Sequence, residues 1–383
     1  MVDFSGSVIV SVDVAKELIR KGYSVSICSF RILDEIHKIL TSFGIEVILI
    51  DDGSQRQGLK FDLLWGHHPV IINRLLDLGF QFKHLIFSSL SPYEPLEFPP
   101  VYIQLFDFVL ANSWETQERL RDFGIGNSFV FPNASPVEYL SSGRLIIKEL
   151  RKILVVSNHL VPEVIRARDS LILNGFQVDI LGFGHNHKMV SPDLLLNYDA
   201  IVTIGRTVPL ALALGIPVYC YDHFGGDGWI LLKNFEINSK YNFSGRPNQR
   251  KISGDLIFEE IVSSYSEALK DLPRLRSLVE TNYNFSKIVS FFLSQLKEKL
   301  SYKSINDVDK SLRSEILSSR AFSRLLTTSY QLKNELFKIS EELGATSKEL
   351  SKRNNLLIEI QQSKSWLVTS PLRSIYSFIR KLK

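Results

Sequence analysis

The sequence predicts an α/β protein made of two successive parallel-sheet units with a helical extension behind them. From Val8 to about Gly226, amphipathic stretches alternate with short β-branched runs, the pattern of parallel strands covered by helices on both faces. The alternation restarts after a Ser-Ser-Gly loop at Ser141–Gly143. Beyond about Asn284 the β-runs stop and Ser, Leu, Lys and Glu dominate, a composition that reads as helix.

The first unit, residues 1–145, opens with a helix from about Val8 to Lys21 that stops at Gly22. The apolar run Tyr23–Ser29 follows, then a helix over Asp34–Phe43 and the run Ile45–Ile50. Further strands are expected at Leu63–Trp65, Leu85–Phe87, Phe108–Ala111 and Phe129–Phe131. A parallel sheet normally opens with a strand, whereas only Met1–Ser7 precede the first helix, so the opening strand is expected to be missing or replaced. The second unit, residues 146–283, reads as strand Lys152–Val156, helix Pro162–Asn174, strands Val178–Leu181 and Ala200–Ile204, helix Val208–Leu214 and strand Pro217–Tyr221. A helix over about Glu259–Lys270 is expected to close it. In residues 284–362, spacings of three and four connect Leu332, Leu336, Ile339, Leu343, Leu350, Leu357 and Ile360, interrupted at Thr346 and Arg353. That is an imperfect coiled-coil seam, open either to self-association or to packing on its own protein.

Composition removes several function classes. The 383 residues are 45% apolar and 22% charged, which excludes a wholly disordered chain, a collagen and a polytopic membrane protein. Lys and Arg number 45 against 41 Asp and Glu, and a net charge of +4 gives no case for a general nucleic-acid binder. Cys28 and Cys220 lie far apart in apolar runs, which suits buried thiols in a reducing compartment. No apolar run is long enough to span a bilayer, and the first 14 residues lack signal-peptide features. The expectation is a cytoplasmic protein.

The segment Asp199–Trp229 carries the most chemistry. Two strand ends in one sheet each deliver a polar, glycine-containing turn: Gly205-Arg206-Thr207 and Asp222-His223-Phe224-Gly225-Gly226. Ligands of open α/β sheets sit outside the carboxyl ends of the strands. Thr207 is expected to cap its helix, Arg206 to offer a fork to phosphate, and the two glycines to let backbone approach a ligand. A tight turn with a surface cation is the plainer alternative. Ser157-Asn158-His159 leaves the preceding strand at the same edge. On the first sheet, His67 and His68 follow a strand and are candidates for a general base, or simply for the end of that strand. The His185-x-His187 spacing lacks a carboxylate or cysteine cluster to complete a metal site.

These residues resemble GT-B glycosyltransferases of bacterial surface-polysaccharide synthesis. The resemblance rests on Val155–His159, Tyr198-Asp199, Thr203–Thr207, the run Ala211–Val218, Tyr221–Gly226 and Phe243-Ser244-Gly245-Arg246. In the first half it rests on Ala111-Asn112-Ser113 and on Val130–Ala134. It implies two Rossmann-like domains facing across a cleft, a nucleotide-diphosphate sugar held mainly by the second and an acceptor by the first. It implies pyrophosphate at Gly205, Arg206 and Thr207, further donor contacts from Arg246, and no metal or other cofactor. The acceptor would be lipid-linked or polysaccharide. Two departures stand out. A pair of glutamates common in such enzymes aligns with Val202 and Leu210, leaving Asp222 or Asp227 as substitutes, and the acceptor-side loop shrinks to Asp3–Ser7. A non-catalytic sugar-nucleotide-binding or scaffold protein is the alternative, and an epimerase of similar architecture a third reading.

The last segment, residues 363–383, combines Trp366, Leu367, Leu372, Ile375 and Tyr376 with Lys364, Arg373, Arg380, Lys381 and Lys383, and has no acidic residue. Its Ser-x-Ser-Trp-x-x-Thr-x-Pro-Leu-Arg pattern from Ser363 to Arg373 also resembles tails of surface-polysaccharide glycosyltransferases. An amphipathic helix docking on the inner face of the cytoplasmic membrane is expected, the plainer alternative being that its apolar face packs back on the protein or on a partner helix.

Overall fold

The computed structural model describes residues 6–51, 56–142, 149–182, 189–299 and 301–381. Most of Asp3–Ser7, Gly143 and the pair His185 and His187 lie outside the described residues. The first half comprises α1 (Gly6–Arg20), β1 (Ser26–Ser29), α2 (Asp34–Ser42), β2 (Glu46–Leu49), β3 (Lys60–Gly66), α3 (Pro69–Asp77), β4 (Gln81–Ser89), β5 (Phe108–Ala111), α4 (Trp114–Asp122), β6 (Ser128–Val130) and α5 (Val137–Ser141). Local chemistry sets its helix starts. Pro69 occupies the first turn of α3, where a missing N–H costs nothing, and the Ser113 hydroxyl accepts from the Thr116 N–H to cap α4. Strands β3, β4, β5 and β6 form a four-stranded parallel sheet in that order, and β1 pairs in parallel with β2 apart from it.

The second half holds β7 (Lys152–Val156), α6 (Pro162–Leu173), β8 (Gln177–Leu181), α7 (Pro192–Leu195), β9 (Ala200–Thr203), α8 (Thr207–Ala213), β10 (Val218–Asp222), β11 (Gly225–Trp229), α9 (Leu232–Lys240), α10 (Gly254–Ser263) and α11 (Tyr265–Asn282). Its sheet order is β8-β7-β9-β10-β11, parallel except for the last pair. Two expectations change here. The closing helix is two helices broken at Ser264, and the glycine-rich turn after β10 is a hairpin whose return strand, β11, is antiparallel. The α/β class and the helical extension stand as the sequence predicts.

After α11 the chain returns to the first half. Ser135 and Asn284 form a parallel bridge, and Phe285 and Phe292 of α12 (Phe285–Ser294) pack their rings on Phe131. One hydrophobic cluster takes Val10 and Val14 from α1, Ile86 and Leu110 from the first sheet, and Leu154 and Ile201 from the second. The two sheets therefore share a core, and the boundary drawn near residue 145 separates sheets within one compact unit, Met1–Phe322. A second unit, Ser323–Lys383, is helical. It contains most of α13 (Arg313–Gln362), then α14 (Lys364–Val368) and α15 (Ser370–Lys381). The seam residues from Leu332 to Ile360 are exposed along α13.

Candidate functional site

The second sheet has a topological switch point. From β7 the chain crosses through α6 to β8 on one side, whereas β9 and β10 lie on the other, so the loops after β7 and β9 part at this point, where open α/β sheets take their ligands. Ser157-Asn158-His159 stands on one side of it and Gly205-Arg206-Thr207 on the other. The Ser157 hydroxyl donates to Asp222 Oδ2 at the end of β10 (3.1 Å) and accepts from the His159 N–H (3.0 Å). Asp222 is buried and also accepts from the His223 N–H at 2.8 Å. Burial raises its carboxyl above the ordinary range, against the lowering pull of His223 and Ser157. The rings of His159 and His223 meet edge to face at 5.3 Å, and His223 lies against Phe224 at 4.0 Å. Two of the three loops expected at this sheet edge, Ser157–His159 and Asp222–Phe224, are thus joined by direct contacts.

Arg206 does not point into open solvent. Its guanidinium pairs with Asp13 of α1, with side-chain exposures of 13% and 7%, and its Nη1 is buried without a hydrogen-bond partner among the described residues. Burial raises the Asp13 carboxyl, and the charges of Arg206 and Lys16 only partly offset it. Gly205 has φ +65°, and a Cβ there would meet nothing closer than Asn242 at 3.9 Å, so the approach to this turn is open. Asn242 and Phe243, behind it, both adopt left-handed backbone (φ 53° and 52°), a strained arrangement held by the bond from the Gly205 N–H to the Phe243 carbonyl. Asn242 also accepts from Asn133 of the first half at 2.9 Å.

Thr207 is the first residue of α8 rather than its cap, and no side chain caps that helix. With seven residues, α8 contributes little beyond the free N–H groups of its first turn. The hairpin glycines also differ from expectation. A Cβ on Gly225 would sit 2.3 Å from the Arg250 carbonyl oxygen, and one on Gly226 would sit 1.9 Å from that of Cys220. Their missing side chains make room for protein backbone, not for a ligand.

Arg246 forms a two-armed pair with Glu115 at the start of α4 (Nε–Oε1 2.8 Å, Nη2–Oε2 2.5 Å). Its guanidinium lies over the rings of Tyr93 and Phe224, 5.7 and 5.2 Å from their centroids. Arg206 and Arg246 of the second half are therefore both held by carboxylates of the first. Asp13 and Glu115 escaped the sequence reading. The available signal was an acid inside the apolar run Val8–Ala15 and another in the first turn of a capped helix.

His67 is buried and its imidazole is pushed down to about 3, first by desolvation and then by the neighbouring His68. It stays neutral at physiological pH but is a weak proton acceptor, not the near-neutral base the sequence suggested. His68 is partly exposed at the start of α3, with its Nε2 3.9 Å from Glu97. Val202 and Leu210 are buried in apolar core, and Asp227 accepts from Asn238 and Asn248.

No family model matches the chain, and no curated protein matches it in sequence. Among solved structures it is similar to a glycosyltransferase from Rickettsia africae ESF-5, at 14% identity over 76% of this chain and 94% of that one, with a TM-score of 0.49. It is also similar to the glycosyltransferase SnogD from Streptomyces nogalater, at 12% identity over 75% and 94% of the two chains, with a TM-score of 0.35. The functional reading rests on the residues of the switch point.

Proposed function

We propose that the protein is a GT-B glycosyltransferase, transferring a hexosyl group from a nucleotide-diphosphate sugar to a lipid-linked or polysaccharide acceptor in cell-envelope polysaccharide synthesis. The observation that carries this reading is the switch point between β7 and β9, where Ser157–His159 follow one strand and Arg206, with an unsatisfied Nη1, follows the other. Such a switch point is where an open α/β sheet takes a nucleotide, and a guanidinium there stabilises a leaving diphosphate as the sugar gains positive charge. Arg206 supplies the charge, so the reading calls for no metal.

Donor binding and proton removal are coupled in this reading. Asp13 faces Arg206 from the acceptor half. When diphosphate takes over part of the guanidinium, the carboxylate loses its counter-charge and becomes a stronger base for an acceptor hydroxyl. Asp13 is thus a better candidate base than His67. The burial of Val202 and Leu210, where a carboxylate pair would otherwise reach the donor, favours a second reading: a protein that binds sugar nucleotides without turnover. The tail, in the first reading, holds the enzyme on the inner face of the cytoplasmic membrane beside a lipid-borne acceptor.

The test is a thermal-shift screen of nucleoside diphosphates and their sugars, followed by donor consumption with a membrane-lipid acceptor. A ligand bound only by the folded chain raises the midpoint. Binding with turnover that is lost in Asp13→Asn supports the transferase, binding without turnover supports the second reading, and no shift with any nucleotide at saturation rejects both.

A further inference from the structure

Five side chains gather where loops of the two halves meet. Tyr93 lies in the loop after β4, and Trp114 and Glu115 open α4 just after β5, so all three follow the carboxyl ends of first-sheet strands. Tyr241 and Arg246 follow α9 in the second half. The Tyr93 hydroxyl donates to Glu115 Oε1 at 3.4 Å, and the rings of Trp114 and Tyr241 meet across the halves at 6.0 Å. The cluster is continuous with the switch point, because Arg246 lies over Phe224, whose ring rests against His223 and through it reaches His159.

Two properties of this cluster select a ligand. The first is aromatic surface: Tyr93 is 62% and Trp114 42% exposed, although each ring would gain stability by burial. A single exposed ring is ordinary, but these two stand beside one largely buried ion pair. The second is charge. Glu115 takes both arms of the Arg246 fork, so the pair carries no net charge. A phosphate brought there meets the carboxylate as well as the guanidinium, and the like-charge contact opposes it. A neutral polyol meets no such barrier. Glu115 accepts from its hydroxyls, Arg246 donates to them, and the apolar C–H face of a sugar ring lies against an aromatic ring. We propose that the cluster holds a neutral sugar ring of the acceptor, with Tyr93 and Trp114 as the stacking surfaces. This rests on the transferase reading and narrows its acceptor class. The lipid-linked or polymeric acceptor already carries a sugar, so an earlier glycosyl transfer supplies it.

Binding of neutral methyl glycosides (β-glucoside, β-galactoside, α-mannoside and N-acetyl-β-glucosaminide) to the full chain is followed by saturation-transfer NMR, with methyl phosphate as the sugar-free anion. At least one glycoside is expected to bind more tightly than methyl phosphate. Tyr93→Ala and Trp114→Ala are each expected to weaken that binding about tenfold, whereas Tyr93→Phe, which keeps the ring, retains most of it. Phe291→Ala removes an exposed ring of α12 and is expected to change nothing. Glu115→Gln leaves Arg246 without its counter-charge and should strengthen methyl phosphate binding several-fold but not glycoside binding. The nucleoside-diphosphate thermal shift of the same preparations reports the donor site and the fold. With that shift present, absence of glycoside binding, or glycoside binding indifferent to both ring variants, would overturn the proposal. So would methyl phosphate binding more tightly than every glycoside and losing affinity in the same variants. Glycoside binding that needs both rings, without any nucleotide shift, would reject the transferase reading and with it the assignment of this sugar site to an acceptor.

Discussion

Arg206 is held by Asp13 before any ligand arrives, and that pairing sets what its replacement does. Arg206→Gln is expected to weaken nucleoside-diphosphate binding by about 1.5–3 kcal/mol, the range for a hydrogen bond to a charged group, which is roughly 10- to 100-fold in affinity by calorimetry. The same change removes the guanidinium paired with the buried Asp13 carboxylate. Burial already raises Asp13, so the variant folds best with that group protonated, and its stability loss grows as pH rises through the raised value. Urea unfolding at pH 5 and pH 8 checks the sign: the deficit should be larger at pH 8. Asp77 behaves in the opposite sense. Burial would raise it, but the hydrogen bonds and charges of Arg320 and Arg74 outweigh burial and hold it below the usual carboxylate range. A depressed folded value adds stability above the unfolded value near 4 and loses it as pH falls further. Arg320→Ala removes part of that support, so acid unfolding should begin at higher pH, with a cost of about 1 kcal/mol or less near neutrality because Arg320 is half exposed.

At the scale of elements, the hairpin β10–β11 is where glycine chemistry is least forgiving. Gly226→Ala would place a Cβ against the backbone of Cys220, which cannot move aside as a flexible side chain could, so a loss of about 1–3 kcal/mol or more is expected in urea unfolding. Gly124→Ala, where a Cβ meets nothing, is the control for backbone strain alone. The same hairpin shows why part of the fold was not legible. Gly-Gly-Asp-Gly-Trp has the composition of a turn, and only the antiparallel pairing with the adjoining β10 makes it a strand. The runs Lys152–Val156 and Phe108–Ala111 were legible to the residue because β-branched and apolar side chains fill strands buried on both faces. The site divides in the same way. Ser157–His159 and Gly205–Thr207 follow from strand ends, which sequence places at one edge, but Asp13 and Glu115 come from another sheet layer, and their local signal, an acid in an apolar run and one in a capped first turn, does not tell which arginines they meet.

For the whole molecule, the helical unit Ser323–Lys383 leaves two surfaces without cover in a single chain. The α13 seam exposes Leu336 and Leu343 at 67% and 70%, as expected of a coiled-coil partner face. Light scattering at micromolar concentration is expected to show self-association that Leu336→Glu with Leu343→Glu abolishes. The tail differs in chemistry. Leu367, Val368, Leu372 and Ile375 are exposed, and Arg373 stacks on Trp366 with its guanidinium 3.7 Å from the ring centroid. Among the described residues no helix is long and apolar enough to cross a membrane. Lys364, Arg373, Arg380, Lys381 and Lys383 would each gain on the order of 1 kcal/mol beside anionic headgroups, while the apolar residues enter the acyl boundary and Trp366 stays at the interface. Attraction of this kind is screened by salt, which separates it from aggregation through exposed leucines. Full-length protein should therefore sediment with phosphatidylglycerol-rich vesicles at low salt, bind several-fold less at 0.5 M salt, and ignore purely zwitterionic vesicles. A chain ending at Gln362 should stay in the supernatant throughout while keeping the α13 self-association. Equal vesicle binding by the two chains would move the contact to α13, and absence of binding by either would remove the membrane from the protein's function.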